Sequence, residues 1–280
     1  MPVPMPKDQE DLPPFMSLKG SVSFETLKAI TVKPFQLTHM SPVQAEVLPL
    51  LPMLAEPYDR NAPADGPPRD LLVKAKTGTG KTMAFLVPAI EARSKAIDAF
   101  GKMSVMNAGL NSDKNLEARA RKVFAREHVG TLVISPTREL ATQIADEALR
   151  LTHHHDGFEV RLFTGGTSKR LQMRDWMKGR RDIVVATPGR LRDLLNSEPE
   201  VARGMAKTQV VIFLSSYDLV EQLLTFQLSS YWTKRTPFLT WVSVMISKRS
   251  KNSYHLYLSA RPSSSQPPCH VLFNKSHDQH

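Results

Sequence analysis

Short apolar runs alternate with amphipathic stretches between residues 71 and 213. The runs have four or five residues each, and they are 71–75, 131–135, 160–164, 182–186 and 210–213. Helical periodicity follows several of them, at 83–97, 138–151 and 190–195. Buried strands separated by helices are typical of a parallel sheet that carries helices on both faces. The pattern therefore predicts an α/β domain.

The ends of the chain differ from this alternation. Residues 1–20 are rich in proline and polar side chains, and we predict that they are disordered. Residues 22–30 and 42–54 have helical periodicity instead. After Phe213 the alternation stops, and all 13 glycines precede that residue. We therefore predict a domain over 21–213 that is incomplete on its C-terminal side, followed by an aberrant, irregular tail over 214–280.

Composition narrows the class of partner. The 37 Lys and Arg exceed the 27 Asp and Glu, so the formal charge of +10 favours a polyanion such as nucleic acid. No apolar run reaches the 18 or so residues that span a bilayer, so we expect no membrane segment. A single cysteine, Cys269, excludes a disulfide framework. The first residues show neither a secretory signal nor an obvious transit peptide.

The stretch AKTGTGKT (75–82) carries the clearest chemistry. It follows the strand at 71–75 and opens a helix, which is the context of a phosphate-binding loop. Backbone N–H groups of Gly78, Thr79, Gly80 and Lys81 would converge on phosphate oxygens, aided by the helix dipole. Lys81 would neutralise the terminal phosphates, and the Thr82 hydroxyl would ligate Mg²⁺.

Five motifs in order identify a family. LTHMSPVQ (37–44), AKTGTGKT (75–82), PTRELA (136–141), a glycine pair at 165–166 and TPGR (187–190) resemble the first domain of DEAD-box ATP-dependent RNA helicases. The resemblance spans residues 24–213 and implies a single RecA-like P-loop domain. The sequence of 75–91 is most similar to the fungal mitochondrial group that chaperones the folding of intron RNA. We therefore expect a mitochondrial protein, with nucleus or cytoplasm as the alternatives.

The resemblance also implies roles for individual residues. Gln44 should read the adenine edge, and an aromatic residue, Phe35 or Phe24, should stack nearby. The nucleotide would be held by Gln44, Ala75, Thr77, Gly78, Thr79, Gly80, Lys81 and Thr82. RNA would be held by Pro136, Thr137, Arg138, Gly165, Gly166, Thr187, Pro188, Gly189 and Arg190. The RNA-binding groups are suited to sugar and phosphate, so we expect little preference for base sequence. We also expect a monomeric protein.

A basic segment at 102–128 lies outside these motifs. It contains NLEARARKVFAREH and separates the first helix of the domain from the next strand. We favour a solvated helical insertion over an RNA-contacting role for it.

The catalytic acids of the family are missing. The strand at 210–213 should run into Asp-Glu-Ala-Asp, and it runs instead into Leu214, Ser215, Ser216 and Tyr217. The chain therefore has no catalytic carboxylate at this place. Codons can be chosen for the tail residues so that reading the bases from one position earlier gives a different translation. In that frame 232–252 can encode LDMGF and 258–275 can encode FSAT, two sequences that the family resemblance leads us to expect. We interpret the tail from about residue 232 as frame-shifted.

We therefore expect an ATP-dependent RNA helicase by descent, with ATP and Mg²⁺ as cofactors and RNA as partner, whose present chain has little or no activity. Three alternatives stay open: a non-catalytic ATP- and RNA-binding fragment, a different P-loop enzyme such as a DNA translocase, and an artefactual gene product.

Overall fold

The structure is a computed structural model that describes residues 12–56, 70–75, 78–215, 240–246, 255–259 and 270–272. The α-helices in these residues are α1 (Phe24–Thr31), α2 (Pro42–Val47), α3 (Lys81–Asn107), α4 (Lys114–Glu127), α5 (Arg138–Leu151), α6 (Lys169–Lys178), α7 (Pro188–Ser197) and α8 (Pro199–Met205). The strands are β1 (Asp70–Ala75), β2 (Thr131–Ile134), β3 (Val160–Phe163), β4 (Ile183–Ala186), β5 (Val210–Ser215), β6 (Thr240–Ile246), β7 (His255–Ser259) and β8 (His270–Leu272).

All eight strands belong to one sheet, in the order β3-β4-β2-β5-β6-β1-β7-β8. The pairs from β3 through to β1 are parallel, and β7 and β8 join antiparallel. Ile134 at the end of β2 lies opposite Ala186 in β4 and Phe213 in β5. The predicted parallel α/β sheet is therefore confirmed, and the ends of its central strands are aligned.

Each face of the sheet buries its own apolar cluster. Val133, Val185 and Ile212 pack with α1, α2, α3 and α5 on one face. Their strand neighbours Leu132, Val184 and Val211 pack with α6, α7 and α8 on the other. Successive side chains of a strand point to opposite faces, so strands that are apolar at every position require helices on both sides.

Parts of the tail continue the sheet, which corrects our expectation that the sheet stops at residue 213. β5 extends to Ser215, and β6 fills the place between β5 and β1 in parallel register with both. The segment TWVSVMI is rich in β-branched and aromatic residues, which favour strands wherever a free edge accepts them. Our prediction rested on a repeating strand and helix pattern that this segment lacks. β7 and β8 extend the sheet beyond β1, and the tail residues that belong to none of these strands lie outside the described residues.

The N-terminal segment also needs correction where the structure describes it. Residues Phe15–Leu18 form a 3₁₀ turn. The side chains of Phe15 and Leu18 are buried in the larger of the two apolar clusters, on the face that carries α1, α2, α3 and α5. The Phe15 N–H donates to the Thr38 carbonyl, which ties the turn to the loop before α2. Two buried apolar side chains anchor a stretch that composition alone marks as disordered. Residues 1–11 lie outside the described part of the chain.

Helices α3 and α4 form an antiparallel hairpin. The rings of Phe100 and Phe124 stack with centroids 4.6 Å apart, and Arg121 pairs with Glu117 one turn earlier. Of the side chains on α4, Ala125 is buried, and most of the others are at least partly exposed to solvent. The predicted helical insertion is present. No helix in the described part of the chain is both long and apolar enough to cross a bilayer.

A buried ion cluster joins the helices to the sheet. The Arg93 Nε of α3 donates to Asp182 Oδ1 over 2.9 Å, and both side chains are fully buried. Arg180 contacts the same carboxylate, and Arg93 Nη2 donates to the carbonyls of Ala125 and His128. One carboxylate before β4 thus fixes α3 and the end of α4.

We predict that Asp182→Ala lowers the free energy of unfolding of the full chain by about 3–5 kcal/mol, because Arg93 is left buried and uncompensated. The exposed Arg174–Asp175 pair supplies a matched control, and Asp175→Ala should cost less than about 1 kcal/mol. Urea denaturation followed by circular dichroism measures both changes. Equal losses in the two variants would contradict the structural role of the buried cluster.

Candidate nucleotide and nucleic-acid site

The candidate site residues meet at one edge of the sheet. Residues 78–82 follow β1, 136–138 follow β2, 165–166 follow β3 and 187–190 follow β4. Because these strands are parallel, their carboxyl ends share an edge, and that edge is where open α/β sheets bind ligands. The structure therefore gathers the predicted groups on one side of the molecule.

The phosphate-binding loop has the backbone conformation that its glycines permit. Gly78 and Gly80 have φ of +78° and +75°, and Lys81 begins α3 directly afterwards. N–H groups at the start of a long helix are suited to an anion. Ala75 ends β1, while Thr77 lies outside the described residues, so its predicted role stays a prediction.

Helix α2 holds this loop through two side chains. Ser41 Oγ donates to the Thr79 carbonyl over 2.8 Å, and Gln44 Nε2 donates to the Gly80 carbonyl over 3.1 Å. Gln44 Oε1 also accepts from the Ser41 N–H, which completes a capping box at the start of α2. We identified Gln44 from the sequence but missed Ser41, although the capping pattern in MSPVQ pointed to it.

The Gln44 amide is therefore engaged on both of its polar atoms. Its side chain is 4% exposed, and each of its two polar atoms makes one of the hydrogen bonds above. An amide has two N–H donors and two acceptor lone pairs, so one of each remains for an adenine edge. The adenine-reading role of Gln44 stays a prediction.

Lys81 lies within the loop and is nearly covered. Its side chain is 8% exposed, and its Nζ donates to the Thr79 hydroxyl over 3.4 Å. Burial lowers the pKa of the Lys81 ammonium from 10.5 to about 8. A negative ligand would favour the charged form and reverse that shift.

Thr82 has a neighbour that the motifs did not indicate. Burial raises the pKa of the Glu147 carboxyl, and a hydrogen bond from Thr82 opposes that rise. Glu147 belongs to α5, two turns after Arg138, so the helix after β2 contacts the phosphate-binding loop as well as the RNA-binding candidates. No sequence signal distinguished Glu147 from the other acids of α5.

The end of β5 presents an apolar side chain to the core. Leu214 is 5% exposed and packs with the larger cluster, at the place where the resemblance noted above implies the first catalytic acid. Mg²⁺ prefers one or two carboxylates beside phosphate oxygens. Thr82 offers a suitable hydroxyl, but the residues that the structure describes contain no cluster of three His, Cys, Asp or Glu that could hold a metal. The role of Thr82 as a Mg²⁺ ligand stays a prediction.

Arg138 and the glycine pair are in direct contact. A Cβ on Gly166 would lie 2.6 Å from Arg138 Nη1, and one on Gly165 would lie 3.0 Å from Nη2. Gly166 also has a φ of +86°. The glycines thus allow the guanidinium to approach the turn after β3 closely, so that the two motifs form one cationic surface.

Arg190 extends this surface through a residue that the motifs missed. Its Nη1 donates to Gln172 Oε1 over 2.8 Å, and its Nη2 donates to the Thr167 carbonyl over 3.0 Å. Gln172 Nε2 in turn donates to the carbonyl of Thr164. Gln172 therefore holds the turn after β3 and Arg190 in place, and only the folded chain brings them together.

The remaining predicted RNA residues form the two helix starts. Thr137 caps α5, since its hydroxyl accepts from the Leu140 N–H. Thr187 precedes α7 and makes no such capping bond with its side chain. Pro136, Thr137, Pro188 and Gly189 are each at least partly exposed at the same edge.

The two aromatic candidates, Phe35 and Phe24, differ in how exposed their rings are. Phe35 packs against the core, and the Arg150 guanidinium lies 4.2 Å from its ring centroid. Phe24 is 73% exposed in the first turn of α1. Of the two, Phe24 has the free ring face that stacking requires.

A comparison with protein-family models agrees with this geometry. The model described as DEAD/DEAH box helicase matches residues 41–214. That match begins at the Ser41 cap and ends at Leu214, so it includes the nucleotide and RNA candidates, while the aromatic candidates Phe24 and Phe35 precede it.

Curated proteins give the same result. The chain is 32% identical over 217 residues to the ATP-dependent RNA helicase mss116, mitochondrial, of Aspergillus oryzae, covering 77% of this chain and 28% of that protein. It is 38% identical over 144 residues to DEAD-box ATP-dependent RNA helicase 31 of Oryza sativa, covering 51% of this chain and 22% of that protein. The chain thus spans about a quarter of the length of these relatives.

Among solved structures, the DEAD-box helicase Mss116 bound to ssRNA and UDP-BeF is similar with a TM-score of 0.57 and 23% identity. The match covers 86% of this chain and 42% of that chain. At this level of identity the likeness concerns the fold.

We predict that Gly80→Ala disrupts the loop more than Gly109→Ala does. Both glycines have a positive φ, +75° and +71°, so each substitution carries the same backbone cost of about 1–2 kcal/mol. At Gly80 the new Cβ would also lie 2.5 Å from Gln44 Nε2 and 2.8 Å from Ser41 Oγ, whereas Gly109 has open space.

The measurement is the affinity for a fluorescent ATP analogue, together with thermal unfolding of each variant. Gly80→Ala should weaken binding by about tenfold or more, the equivalent of one lost hydrogen bond or two, and Gly109→Ala should leave it unchanged. Identical affinities would show that the contact between α2 and the loop is unimportant for the ligand.

Proposed function

The chain belongs to the DEAD/DEAH box helicase family, and from this premise we propose that it binds ATP and single-stranded RNA but does not hydrolyse the nucleotide. The observation that carries the proposal is the shared carboxyl edge of the sheet. It brings residues 78–82 together with the starts of α5 and α7, whereas a buried Leu214 stands near the end of β5. The relatives' full activity, ATP-dependent RNA unwinding, is the ancestral function that we propose for an intact protein of this type.

ATP binding is supported by the loop itself. Gly78, Gly80 and the start of α3 give a positive-φ turn that leads into a helix N-terminus, and Lys81 supplies a cation beside it. The low pKa of Lys81, about 8, reflects an ammonium that burial has made costly and that a phosphate would stabilise. We propose Gln44 as the adenine reader through its remaining donor and acceptor.

RNA binding is supported by the surface that Arg138 and Arg190 form around the turn at 164–167. Guanidinium groups and helix starts bind phosphates well, and neither group reads a base edge. We therefore propose contacts to sugar and phosphate with little sequence preference. A monomeric chain would suffice for this binding, and we propose that state.

Loss of hydrolysis is supported by the chemistry of phosphoryl transfer. The family's acids position Mg²⁺ and the attacking water, and catalysis depends on that positioning and charge neutralisation. Mg²⁺, when bound with ATP, would screen the phosphate charge. Thr82 is the residue here that would contact it.

A mitochondrial location is supported by the Aspergillus oryzae relative, whose name describes it as mitochondrial. The Oryza sativa relative carries no such designation, so nucleus and cytoplasm are the alternatives. Fractionation of cells that express the chain tests the location, and recovery outside mitochondria would contradict it.

We predict that phosphate release by the full chain with ATP and RNA equals that of its Lys81→Ala variant. Lys81→Ala removes the cation at the loop, so its rate defines the background. A coupled phosphate assay with and without RNA makes the comparison. A rate about tenfold or more above that background would show that another group replaces the missing acids.

We predict that Arg138→Gln weakens binding of a single-stranded RNA several-fold, to about the same extent for different base sequences. The slope of log affinity against log salt concentration should fall by about one, because one phosphate contact is lost. Arg119→Gln on exposed α4 is the matched control and should not change the affinity. Fluorescence anisotropy at several salt concentrations measures both. A loss confined to Arg119→Gln would assign RNA binding to the helical insertion instead.

A further inference from the structure

A second concave surface lies at the opposite edge of the sheet. Its lining comes from the segments that precede β2, β4 and β5, which are the amino ends of the parallel strands. The cavity has a volume of about 730 Å³. Its lining includes Val123, Arg126, His128, Met177, Arg181 and Lys207. None of them belongs to the nucleotide or RNA candidates.

The cavity carries an excess of positive charge. Arg126, Arg181, Arg203 and Lys207 line it, against the carboxylates of Glu127 and Glu200. Glu200 is already paired with Arg203. Burial lowers the pKa of His128, so this ring is neutral near pH 7. Arg126 and Lys207 are exposed, which leaves their cationic groups accessible to a ligand.

Arg181 is the buried cation of the cavity. It is 9% exposed, and its guanidinium carbon lies 4.1 Å from the centroid of the Trp176 ring. Nη1 donates a long hydrogen bond, 3.4 Å, to the Glu127 carbonyl, while the buried Nε has no hydrogen-bond partner among the described residues. An unpaired buried N–H of a charged group costs free energy. An oxyanion that accepted this N–H would recover it.

The surroundings hold Arg181 in this position. A Cβ on Gly204 would lie 2.7 Å from Trp176 Cζ2 and 3.0 Å from Arg181 Nη1, so glycine lets both side chains pack against α8. The Trp176 ring is fully buried, and no residue in the described part of the chain accepts a hydrogen bond from its Nε1. The guanidinium is therefore fixed in one orientation before any ligand arrives, and a planar fork in a fixed orientation suits a carboxylate or phosphate.

We propose that this cavity binds a small organic anion, with its carboxylate or phosphate on Arg181 and its apolar body against Val123 and Met177. Both of these apolar side chains are well exposed, at 43% and 53%. The cavity volume is in the range of small-molecule sites. Val123 and Met177 give the cavity an apolar surface that a sugar–phosphate backbone would leave uncovered, which is why we favour a small organic anion over RNA.

The test titrates the full chain, labelled with ¹⁵N in its three tryptophans, with benzoate, phenyl phosphate, inorganic phosphate and benzyl alcohol. Benzoate or phenyl phosphate should shift the Trp176 indole N–H signal saturably, and whichever binds more tightly identifies the headgroup. Inorganic phosphate lacks the apolar body and should bind about tenfold more weakly or worse, and the neutral alcohol should not bind.

Variants assign the signal to the cavity. Arg126→Gln combined with Lys207→Gln removes two exposed charges and should weaken binding by about tenfold while the chain stays folded. Lys122→Gln, an exposed change on α4 outside the lining, should bind as the parent does. The proposal is overturned by an indole signal that no oxyanion shifts, or by equal affinity in the double variant and the control. A single-stranded RNA that shifts the signal where the small anions do not would overturn it too.

Discussion

The hydrogen-bonded register of the parallel strands is the constraint on which this molecule depends. β2 lies between β4 and β5, and the pairing of Ile134 with both Ala186 and Phe213 aligns the three strand ends. Every loop that follows a strand must then start at the same edge. The phosphate-binding loop, the Arg138 helix and the Arg190 helix meet there because of backbone geometry, although they are far apart along the chain. Burial of apolar side chains on both faces stabilises this register.

The same constraint separates binding from catalysis. Backbone N–H groups and helix starts depend on where a strand ends, so they persist as long as the sheet does. The catalytic acids of the family depend instead on which side chains stand at the end of β5. Leu214 is compatible with the sheet because its neighbours there are apolar, and its burial adds to the core. A fold of this kind can lose its chemistry without losing the surfaces that hold a ligand.

Several contacts of the site follow from tertiary packing alone. Ser41 and Gln44 reach the carbonyls of Thr79 and Gly80 across 38 and 36 residues of sequence. Gln172 meets Arg190 in a similar way, and Glu147 meets Thr82. These partners are polar residues on helices that pack beside the loop, and nothing in their local sequence separates them from solvent-facing neighbours. The cavity around Arg181 belongs to the same class, since it forms from three segments that precede three strands.

The sequence by itself determined the fold class, the motif residues and the missing acids. Apolar periodicity indicates which positions are buried. Glycine, lysine and threonine at fixed spacing indicate a phosphate-binding loop, because that loop needs their small side chains, cation and hydroxyl. It did not determine the strand at 240–246 or the turn at Phe15–Leu18, which the structure describes. Neither segment has a repeating pattern of its own. The strand at 240–246 formed because β5 and β1 pair with it on both sides, and the turn formed because the core accepts Phe15 and Leu18. Pairing and burial depend on the neighbours that a segment meets in the folded chain.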